Sequence, residues 1–235
     1  TAILTAAAAV REGNLDTLKA AFRDDGEGVS LHSIKNPESM SRVIASEYSE
    51  AVIAAEETSS TVFEVFRRFS AHAVLTPLRR GPWGVPAMND RISRILGATL
   101  SPFPGMPVMI TKNDPSRGIW NGDRGVVLRR KGRLRAFFPE QDEFRDFPLA
   151  ALPGWEPAWV QTIHKSQGSE FDGVSVLLPE GAERLLSREI LYTAFTRARK
   201  SVDLYADLET VAATLERGVV RNSRIRKWAA GMRSD

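Results

Sequence analysis

Hydrophobic residues recur at helical spacing through the first quarter of the chain, and this spacing predicts a helical segment over residues 1–60. Two short helices are expected within residues 2–22, separated at Gly13 and Asn14. A longer helix is expected to begin at Pro37, and its apolar positions are Met40, Val43, Ile44, Tyr48, Val52 and Ile53. Residues 24–28 are polar and glycine-rich and predict a hinge. We therefore interpret this segment as scaffold.

After residue 60 the pattern changes to an alternation of helices and strands. A helix is predicted at 61–69, a buried strand at 73–76, and a helix at 87–96 after a glycine-rich loop. Further strands are expected at 174–178 and 201–206, and further helices after Ser187 and at 208–217. A basic amphipathic helix is expected at 221–233. The alternation predicts an α/β domain with a parallel sheet, over residues 61–102 and 156–235.

Residues 103–155 interrupt this alternation with shorter, β-like pieces at 108–111, 125–128, 134–138 and 144–149. Turn-forming residues separate the pieces, and Asn121-Gly122 is the strongest of these turn signals. Several short strands at close spacing indicate a small antiparallel barrel. The sequence therefore predicts a barrel-like insert within the α/β domain.

Composition restricts the class of protein without naming a function. The 235 residues allow one large domain or two small ones, and no apolar run approaches the ~20 residues of a membrane span, so no membrane association is expected. The chain has no cysteine, which excludes disulfides and thiolate zinc sites, and a cytoplasmic location is expected by default. The three histidines, His32, His72 and His164, lack the spacing of metal ligands, so no metal site is predicted.

Charge is distributed unevenly along the chain. Residues 1–60 contain ten acidic and five basic residues, a net −5, so the total of +3 leaves +8 for the remaining residues. A basic body favours a phosphate-bearing partner, although a solvated basic face would give the same count.

Candidate chemistry is concentrated between Trp159 and Asp172. A short strand is predicted at 160–163, followed by a turn at Gly168 and then the strand at 174–178. Ligands of open α/β sheets gather at the carboxyl ends of the strands, so the polar residues here are expected at one binding edge: Thr162, His164, Lys165, Ser166, Gln167 and Glu170. An ordinary polar turn is the alternative interpretation.

The helix after Ser187 adds one more candidate. At 100° per residue, its buried arc would comprise Ile190, Leu191, Ala194, Phe195 and Ala198. Arg197 would lie at one margin of this arc beside Thr193, and Arg199 past the other margin. A half-buried guanidinium suits contact with a phosphate, but it could equally cap the core through a carbonyl or carboxylate.

Residues 162–172 resemble motif V of superfamily-1 helicases, and residues 191–200 resemble motif VI. The resemblance implies that Arg197 is an arginine finger that reaches the γ-phosphate of ATP. It also implies that Glu170 contacts the nucleotide and that Gly168 lets the backbone approach closely. The positions that would contact the DNA backbone are Thr162, His164 and Lys165, with a structural role as the alternative for His164.

Residues 81–92, 105–114 and 118–125 resemble the RecD family, the alpha subunit of bacterial exodeoxyribonuclease V. The resemblance implies a RecA-like second motor domain with an SH3-like insert and a 5′ to 3′ DNA helicase in double-strand break repair and recombination. Implied partners are single-stranded DNA, with Asn121 as a further contact, and the beta and gamma subunits. ATP and Mg²⁺ are implied for the full-length protein.

The sequence departs from an ATP-hydrolysing family member in one respect. It contains no G-x-x-x-x-G-K-[ST] loop and no hydrophobic run ending in paired acids, so half of the ATP site is missing. We expect the C-terminal part of a RecD protein, unable to hydrolyse ATP alone. Three alternatives stay open. One is a stand-alone RecD-like helicase, and another is a non-enzymatic module that binds single-stranded nucleic acid through basic residues 124–135 and Trp120. The third is a peptide-binding barrel, which requires an exposed aromatic groove, whereas Trp120, Phe137 and Phe138 could instead belong to the core.

Overall fold

Two five-stranded sheets, one parallel and one antiparallel, organise the chain in the computed structural model, which describes residues 2–22, 28–57, 61–97, 102–182 and 185–218. The strands are β1 Gly28–His32, β2 His72–Thr76, β3 Pro107–Ile110, β4 Arg124–Arg130, β5 Arg133–Glu140, β6 Glu143–Pro148, β7 Trp155–Pro157, β8 Val160–Thr162, β9 Phe171–Leu178 and β10 Ala198–Ala206. The α-helices are α1 Ala2–Glu12, α2 Leu15–Ala20, α3 Pro37–Glu56, α4 Val62–Ala71, α5 Val85–Ile95, α6 Arg188–Phe195 and α7 Leu208–Glu216. The basic helix expected at 221–233 and most of the expected hinge lie outside the described residues.

The parallel sheet has the order β1-β10-β9-β2-β8 and is covered by helices on both faces. One face packs its apolar side chains, among them Val176 and Leu204, against α1, α6 and α7. The other face packs against α3, α4 and α5 through residues such as Val74 and Leu177. Burial on both faces explains why β9 is apolar almost throughout, as is usual for a central parallel strand.

The antiparallel sheet has the order β6-β5-β4-β3-β7 and occupies the predicted insert. It packs against the helices that cover the parallel sheet, and Trp159, which is 1% exposed, lies in this contact. The indole Nε1 of Trp159 donates a hydrogen bond to Ser93 Oγ on α5 at 2.9 Å, and its ring packs against Tyr48 and Phe69. Among the described strands β6 and β7 form the two edges, and closure into an SH3-like barrel stays a prediction.

Most helices begin where the sequence predicts. The α3 helix starts at Pro37, capped by the Asn36 side chain, and α4 follows Thr61, which forms a capping box with Glu64. Ser187 caps α6, as expected. These starts were predictable because the capping signal is contained in a few consecutive residues.

Four local expectations were wrong or incomplete. Residues 28–32 form the edge strand β1, which was not predicted because the strand is short and only Val29 and Leu31 of its five residues are apolar. Ile163 lies in a 3₁₀ turn instead of the strand. Val43 and Ile53 of α3 are 41% and 61% exposed instead of buried. Helix α6 ends at Phe195 instead of continuing through Ala198, so the helical-wheel placement of the arginines that follow was wrong.

Candidate functional site

The carboxyl end of β8 carries the first group of candidate residues. Thr162 ends this strand level with Thr76, the last residue of β2, and the chain then makes one 3₁₀ turn, Ile163–Ser166. The Thr162 hydroxyl is buried and accepts a hydrogen bond from the Lys165 backbone N–H at 3.3 Å. Thr162 therefore fixes the turn that presents Lys165.

A cleft of about 300 Å³ lies between this turn and the antiparallel sheet. Its lining residues come from the loop after β2, the start of α5, the β3–β4 connection, β7, the end of β8 and the turn that follows: Arg79, Val85, Pro86, Thr111, Asn121, Glu156, Thr162 and Lys165. The ammonium of Lys165 is 2.7 Å from the Glu156 carboxylate on β7. Three of the four predicted DNA-contacting residues are thus brought together, in a cleft whose side chains are mainly polar.

The cleft also contains residues that sequence reasoning missed. Arg79 follows the carboxyl end of β2, so the rule that ligands gather at this edge could have identified it. Thr111 directly follows β3 and Glu156 is in β7, and no local pattern places them beside Lys165. The fourth predicted residue, His164, is exposed and does not line the cleft.

The loop that carries Asn121 is held by its own backbone. The Asn121 N–H donates to Asn113 Oδ1 at 2.7 Å, and the Gly122 N–H donates to the Ile110 carbonyl at 2.9 Å. Gly122 has φ +101°, a conformation that glycine adopts without strain. The predicted turn is therefore present, with the Asn121 side chain exposed at the rim of the cleft.

Asn89 of α5 positions β8 beneath the cleft. Its buried amide donates to the carbonyls of Pro157 at 2.7 Å and Val160 at 3.1 Å, and its Oδ1 accepts from the Val160 N–H at 2.8 Å. The Asn89 side chain thus forms hydrogen bonds with backbone groups on the outer side of the edge strand β8, where a neighbouring strand would otherwise pair.

The second group of candidate residues lies at the amino ends of the strands of the parallel sheet, which we call the amino edge; the carboxyl ends form the carboxyl edge. Glu170 immediately precedes β9 and Arg197 immediately precedes β10, and the first residues of these strands, Phe171 and Ala198, are paired. The expectation that Glu170 shares an edge with Thr162 was therefore wrong. Residues 163–170 run from the carboxyl end of β8 to the amino end of β9, so they cross the sheet.

Arg197 is half-buried and ties the end of α6 to the turn before β9. Its guanidinium donates to the carbonyl oxygens of Thr193 and Ser169, both at 3.2 Å, and to the Thr196 hydroxyl at 3.4 Å. The Arg197 carbonyl in turn accepts from the Phe171 N–H at 2.8 Å. A guanidinium has five N–H donors, so these three bonds leave two for another ligand.

Arg199 is exposed and pairs with Glu170, with a nitrogen–oxygen distance of 3.0 Å and exposed fractions of 62% and 57%. Lys200 and Asp172 form a similar pair at 2.8 Å, and the hydrogen bond from Lys200 lowers the pKa of Asp172. Exposed pairs of this kind contribute little to stability because water screens them. Glu170, the predicted nucleotide contact, is thus neutralised by a neighbouring strand residue.

Gly168 lies in the segment that joins the two edges. Its φ is +86°, and a Cβ built there would meet no atom within 4 Å. The position therefore requires glycine for its backbone conformation rather than for lack of space.

A group of polar side chains lies under α3, in the middle of the parallel sheet. His72 Nε2 is 2.9 Å from Ser175 Oγ and 3.6 Å from the Glu47 carboxylate, and His32 Nε2 is 2.9 Å from Asp203 Oδ1. Burial, with a smaller contribution from Asp203, raises the pKa of Glu47 to about 7, and burial lowers the pKa of His72. Burial thus favours the uncharged forms of both groups.

Within the described ranges, no three His, Cys, Asp or Glu side chains are grouped so that they could hold a metal ion. The helices described here include none that is both long enough and apolar enough to cross a membrane.

Residues 157–205 match the family model of the UvrD-like helicase C-terminal domain, a range that contains both groups of candidate residues except Asn121. The chain is 34% identical over 230 residues to the RecBCD enzyme subunit RecD of Mycolicibacterium smegmatis, covering 94% of this chain and 40% of that protein. It is 36% identical over 135 residues to the ATP-dependent RecD2 DNA helicase of Deinococcus radiodurans, covering 54% of this chain and 19% of that protein.

Among solved structures, the Pif1 helicase from Candida albicans covers 99% of this chain, and this chain covers 57% of that structure, with 15% identity and a TM-score of 0.44, which is too low to support an assignment. The chain spans 40% of the length of the mycobacterial RecD relatives and 25–28% of other RecD relatives that it matches. By its sequence similarity the chain belongs to the RecD family, as a C-terminal part that contains the UvrD-like helicase domain.

Proposed function

We propose that this chain supplies the second, RecA-like motor domain and an SH3-like insert of an ATP-dependent 5′ to 3′ DNA helicase. The observation that supports the proposal most directly is the separation of two candidate sites on one parallel sheet. A polar cleft with Lys165 and Arg79 lies at the carboxyl edge, and Arg197 lies at the amino edge. A motor that couples nucleotide hydrolysis to movement along DNA needs two such sites on a common framework.

The cleft at the carboxyl edge is the proposed contact with the DNA backbone. Lys165, Arg79 and the amide of Asn121 offer donors to phosphate oxygens without reading the bases. Lys165 is engaged by Glu156, so a phosphate would have to compete with that carboxylate. This competition favours weak binding, which suits a strand that must be released at each step. His164 remains a proposed contact on the exposed side of the same turn.

Arg197 is the proposed arginine finger, and Glu170 and Gly168 are proposed to lie beside the nucleotide. The guanidinium of Arg197 has two N–H donors beyond its three internal hydrogen bonds, and these two donors fit a phosphate oxygen. The three internal bonds orient the guanidinium before a ligand binds. ATP with Mg²⁺ supplies the phosphoryl group whose developing charge such an arginine stabilises. In this proposal another motor domain of the full-length protein holds most of the nucleotide and the metal.

We further propose that the full-length protein is the alpha subunit of exodeoxyribonuclease V in the cytoplasm and acts with beta and gamma subunits in double-strand break repair and recombination. The name of the Mycolicibacterium relative, a RecBCD enzyme subunit, supports this assembly. A stand-alone helicase is the second candidate, supported by the Deinococcus relative, whose name is that of a RecD2 helicase.

The proposed DNA contact is tested by titrating the 235-residue chain with a labelled single-stranded oligonucleotide at several salt concentrations. We expect weak binding that falls steeply with salt. Lys165→Ala should weaken it and reduce the slope of log K against log salt by about 0.7, the value for one phosphate contact on a single strand.

Lys200→Ala is the matched control, because it removes one positive charge from the amino edge. Binding that ignores salt, or that depends on base sequence, would contradict contact through phosphates. Equal losses in Lys165→Ala and Lys200→Ala would show that only net charge matters.

A further inference from the structure

We propose that Trp120 is a stacking platform for a base of the single strand whose phosphate occupies the cleft. The inference rests on the proposed function and adds a contact of a different chemical kind. Trp120 is 51% exposed, whereas Trp159 is 1% exposed and the other two described tryptophans, Trp83 and Trp155, are partly buried. Trp120 is thus the most exposed of the four described tryptophans, and it directly precedes Asn121, which lines the cleft.

Hydrogen bonds hold the backbone of the loop at Trp120 and at the residues before and after it. The Trp120 N–H donates to Asp123 Oδ2 at 2.8 Å, and its carbonyl accepts from the Asp123 N–H at 3.0 Å. The preceding residue, Ile119, is buried and bridges to Asp114, and the following residue, Asn121, is bonded to Asn113. A ring on a backbone held this firmly loses little freedom when a ligand stacks on it.

Trp120 directly precedes a residue that lines the cleft. Asn121, the next residue along the chain, lines the cleft together with Lys165 and Arg79. Adjacent Cα atoms are about 3.8 Å apart, so the exposed side chain of Trp120 leaves the backbone next to the rim of the cleft. Stacking on an aromatic ring accepts every base, as a motor that moves along any sequence requires.

The surroundings favour a base over an apolar protein surface. The other strongly exposed large hydrophobic side chains of the described ranges lie elsewhere, at Leu4, Val43, Ile53, Phe63, Ile95, Leu185 and Leu208. The neighbours of Trp120 in this loop are polar, including Lys112, Asn113 and Asn121. The core of a protein interface is a contiguous apolar patch, whereas a stacking site needs one ring beside donors for phosphate.

The test compares two oligonucleotides of equal length, one of deoxythymidine and one in which every base is replaced by an abasic site. Trp120→Ala should weaken binding of the 235-residue chain to deoxythymidine by roughly 5- to 100-fold, the effect of one lost stacking contact. It should leave binding to the abasic strand unchanged. Trp120→Phe should retain most of the affinity because it keeps an aromatic face.

Phe63→Ala is the matched control, because Phe63 is 65% exposed on α4 and lies outside the loop and the cleft. It should bind both strands as the natural chain does. Lys165→Ala should weaken binding to both strands, because its contact is with phosphate. Thermal unfolding should be nearly the same for Trp120→Ala and the natural chain, since the ring is exposed.

Three results would overturn the proposal. If Trp120→Ala bound the deoxythymidine oligonucleotide as tightly as the natural chain does, Trp120 would not stack on a base, and a protein partner would be the remaining ligand for the ring. Equal losses on the two strands would show that Trp120 only shapes the loop. If the natural chain bound neither strand, the proposed function would fail together with this inference, whereas either of the first two results leaves the proposed function standing.

Discussion

The two edges of the parallel sheet differ in how they hold their charged side chains. At the carboxyl edge, Lys165 lies in a cleft and is held by Glu156, a residue of the antiparallel sheet. At the amino edge, Arg199 and Lys200 are exposed and pair with residues that lie just before or at the start of the neighbouring strand. The carboxyl edge therefore depends on contact between the two sheets, whereas the amino edge is complete within one.

Arg197 is the exception at the amino edge. It is separated from Arg199 by one residue, yet its guanidinium is half-buried against two carbonyl oxygens while that of Arg199 faces solvent. The difference arises because α6 ends at Phe195 and β10 begins at Ala198, so Arg197 lies in the turn between them. Two arginines of one motif are thus suited to different tasks.

The largest expected effect separates these two arginines in the full-length protein. Arg197→Ala should lower the kcat for ATP by about 10³-fold or more, the scale of a lost arginine finger, with DNA binding nearly intact. Arg199→Ala should cost far less, and Arg197→Lys should not restore activity because an ammonium lacks the planar fork. DNA-stimulated ATPase assays of the three variants measure this.

Thermal unfolding of the same variants is the control, because Arg197 also bonds the Ser169 carbonyl. If Arg197→Ala lost activity only in proportion to lost folded protein, its role would be structural. A larger loss of kcat in Arg199→Ala would reverse our assignment of the two side chains.

The next largest effect tests how the carboxyl edge is built. Asn89→Ala removes an amide that makes three hydrogen bonds to buried backbone groups, so it should lower the free energy of unfolding by about 2–4 kcal/mol. Urea unfolding monitored by tryptophan fluorescence measures the change. Asp90→Ala on the same helix is the control, since Asp90 is exposed and pairs with the exposed Arg94.

Because Asn89 also positions β8, binding of single-stranded DNA should weaken in Asn89→Ala even at temperatures where the chain is folded. Unaltered stability together with unaltered binding would mean that the edge strand is held by other contacts.

A smaller effect concerns the stability contributed by Glu47 of α3, which lies over the parallel sheet. Its replacement should leave the residues at the carboxyl and amino edges unchanged. The pKa of Glu47 is about 7 in the folded chain against an ordinary 4.5, so the folded state binds this proton more tightly. The resulting stabilisation is complete below about pH 4.5 and is lost as pH rises through 7. Glu47→Gln should therefore raise the free energy of unfolding at about pH 8 by about 1–2 kcal/mol, allowing for partial exposure.

Near pH 4 the Glu47→Gln variant and the natural chain should have similar free energies of unfolding. His72 titrates in the opposite sense, because its lowered pKa removes stability as pH falls. Its ring lies 3.6 Å from the Glu47 carboxylate, so the measured difference includes the coupling between the two groups. A constant difference at all pH values would show that Glu47 acts through packing.

The smallest expected effect lies in the segment that connects the edges. Gly168→Ala should cost about 1 kcal/mol of stability, since alanine is strained at φ +86° although space is available. Gly132→Ala in the β4–β5 turn, at φ +76° and with equal space, should cost a similar amount. Only Gly168→Ala should also change DNA binding or ATPase activity, which oligonucleotide titration and steady-state assays of the full-length protein would detect.

Local signals predicted much of the fold but not the separation of the sites. The caps at Asn36 and Ser187 and the turn at Gly122 are encoded in neighbouring residues, so they could be found from the sequence. The start of β10 at Ala198 depends on pairing with Phe171, which is 27 residues away and is not visible in a helical wheel. The cleft required Glu156 of β7 and Thr111, which follows β3, and both of these strands belong to the antiparallel sheet. Glu170 was misplaced because a segment that crosses a sheet has no local sequence signature.

Asn89 has a consequence for how copies of this chain meet each other. The outer side of an edge strand is a template on which the strand of another molecule can add, and such addition is a common start of aggregation. The amide of Asn89 occupies the N–H and carbonyl of Val160 on that side of β8, at 2.8 and 3.1 Å. The side chain that aligns the cleft thus also withholds this N–H and this carbonyl from the strand of a second molecule.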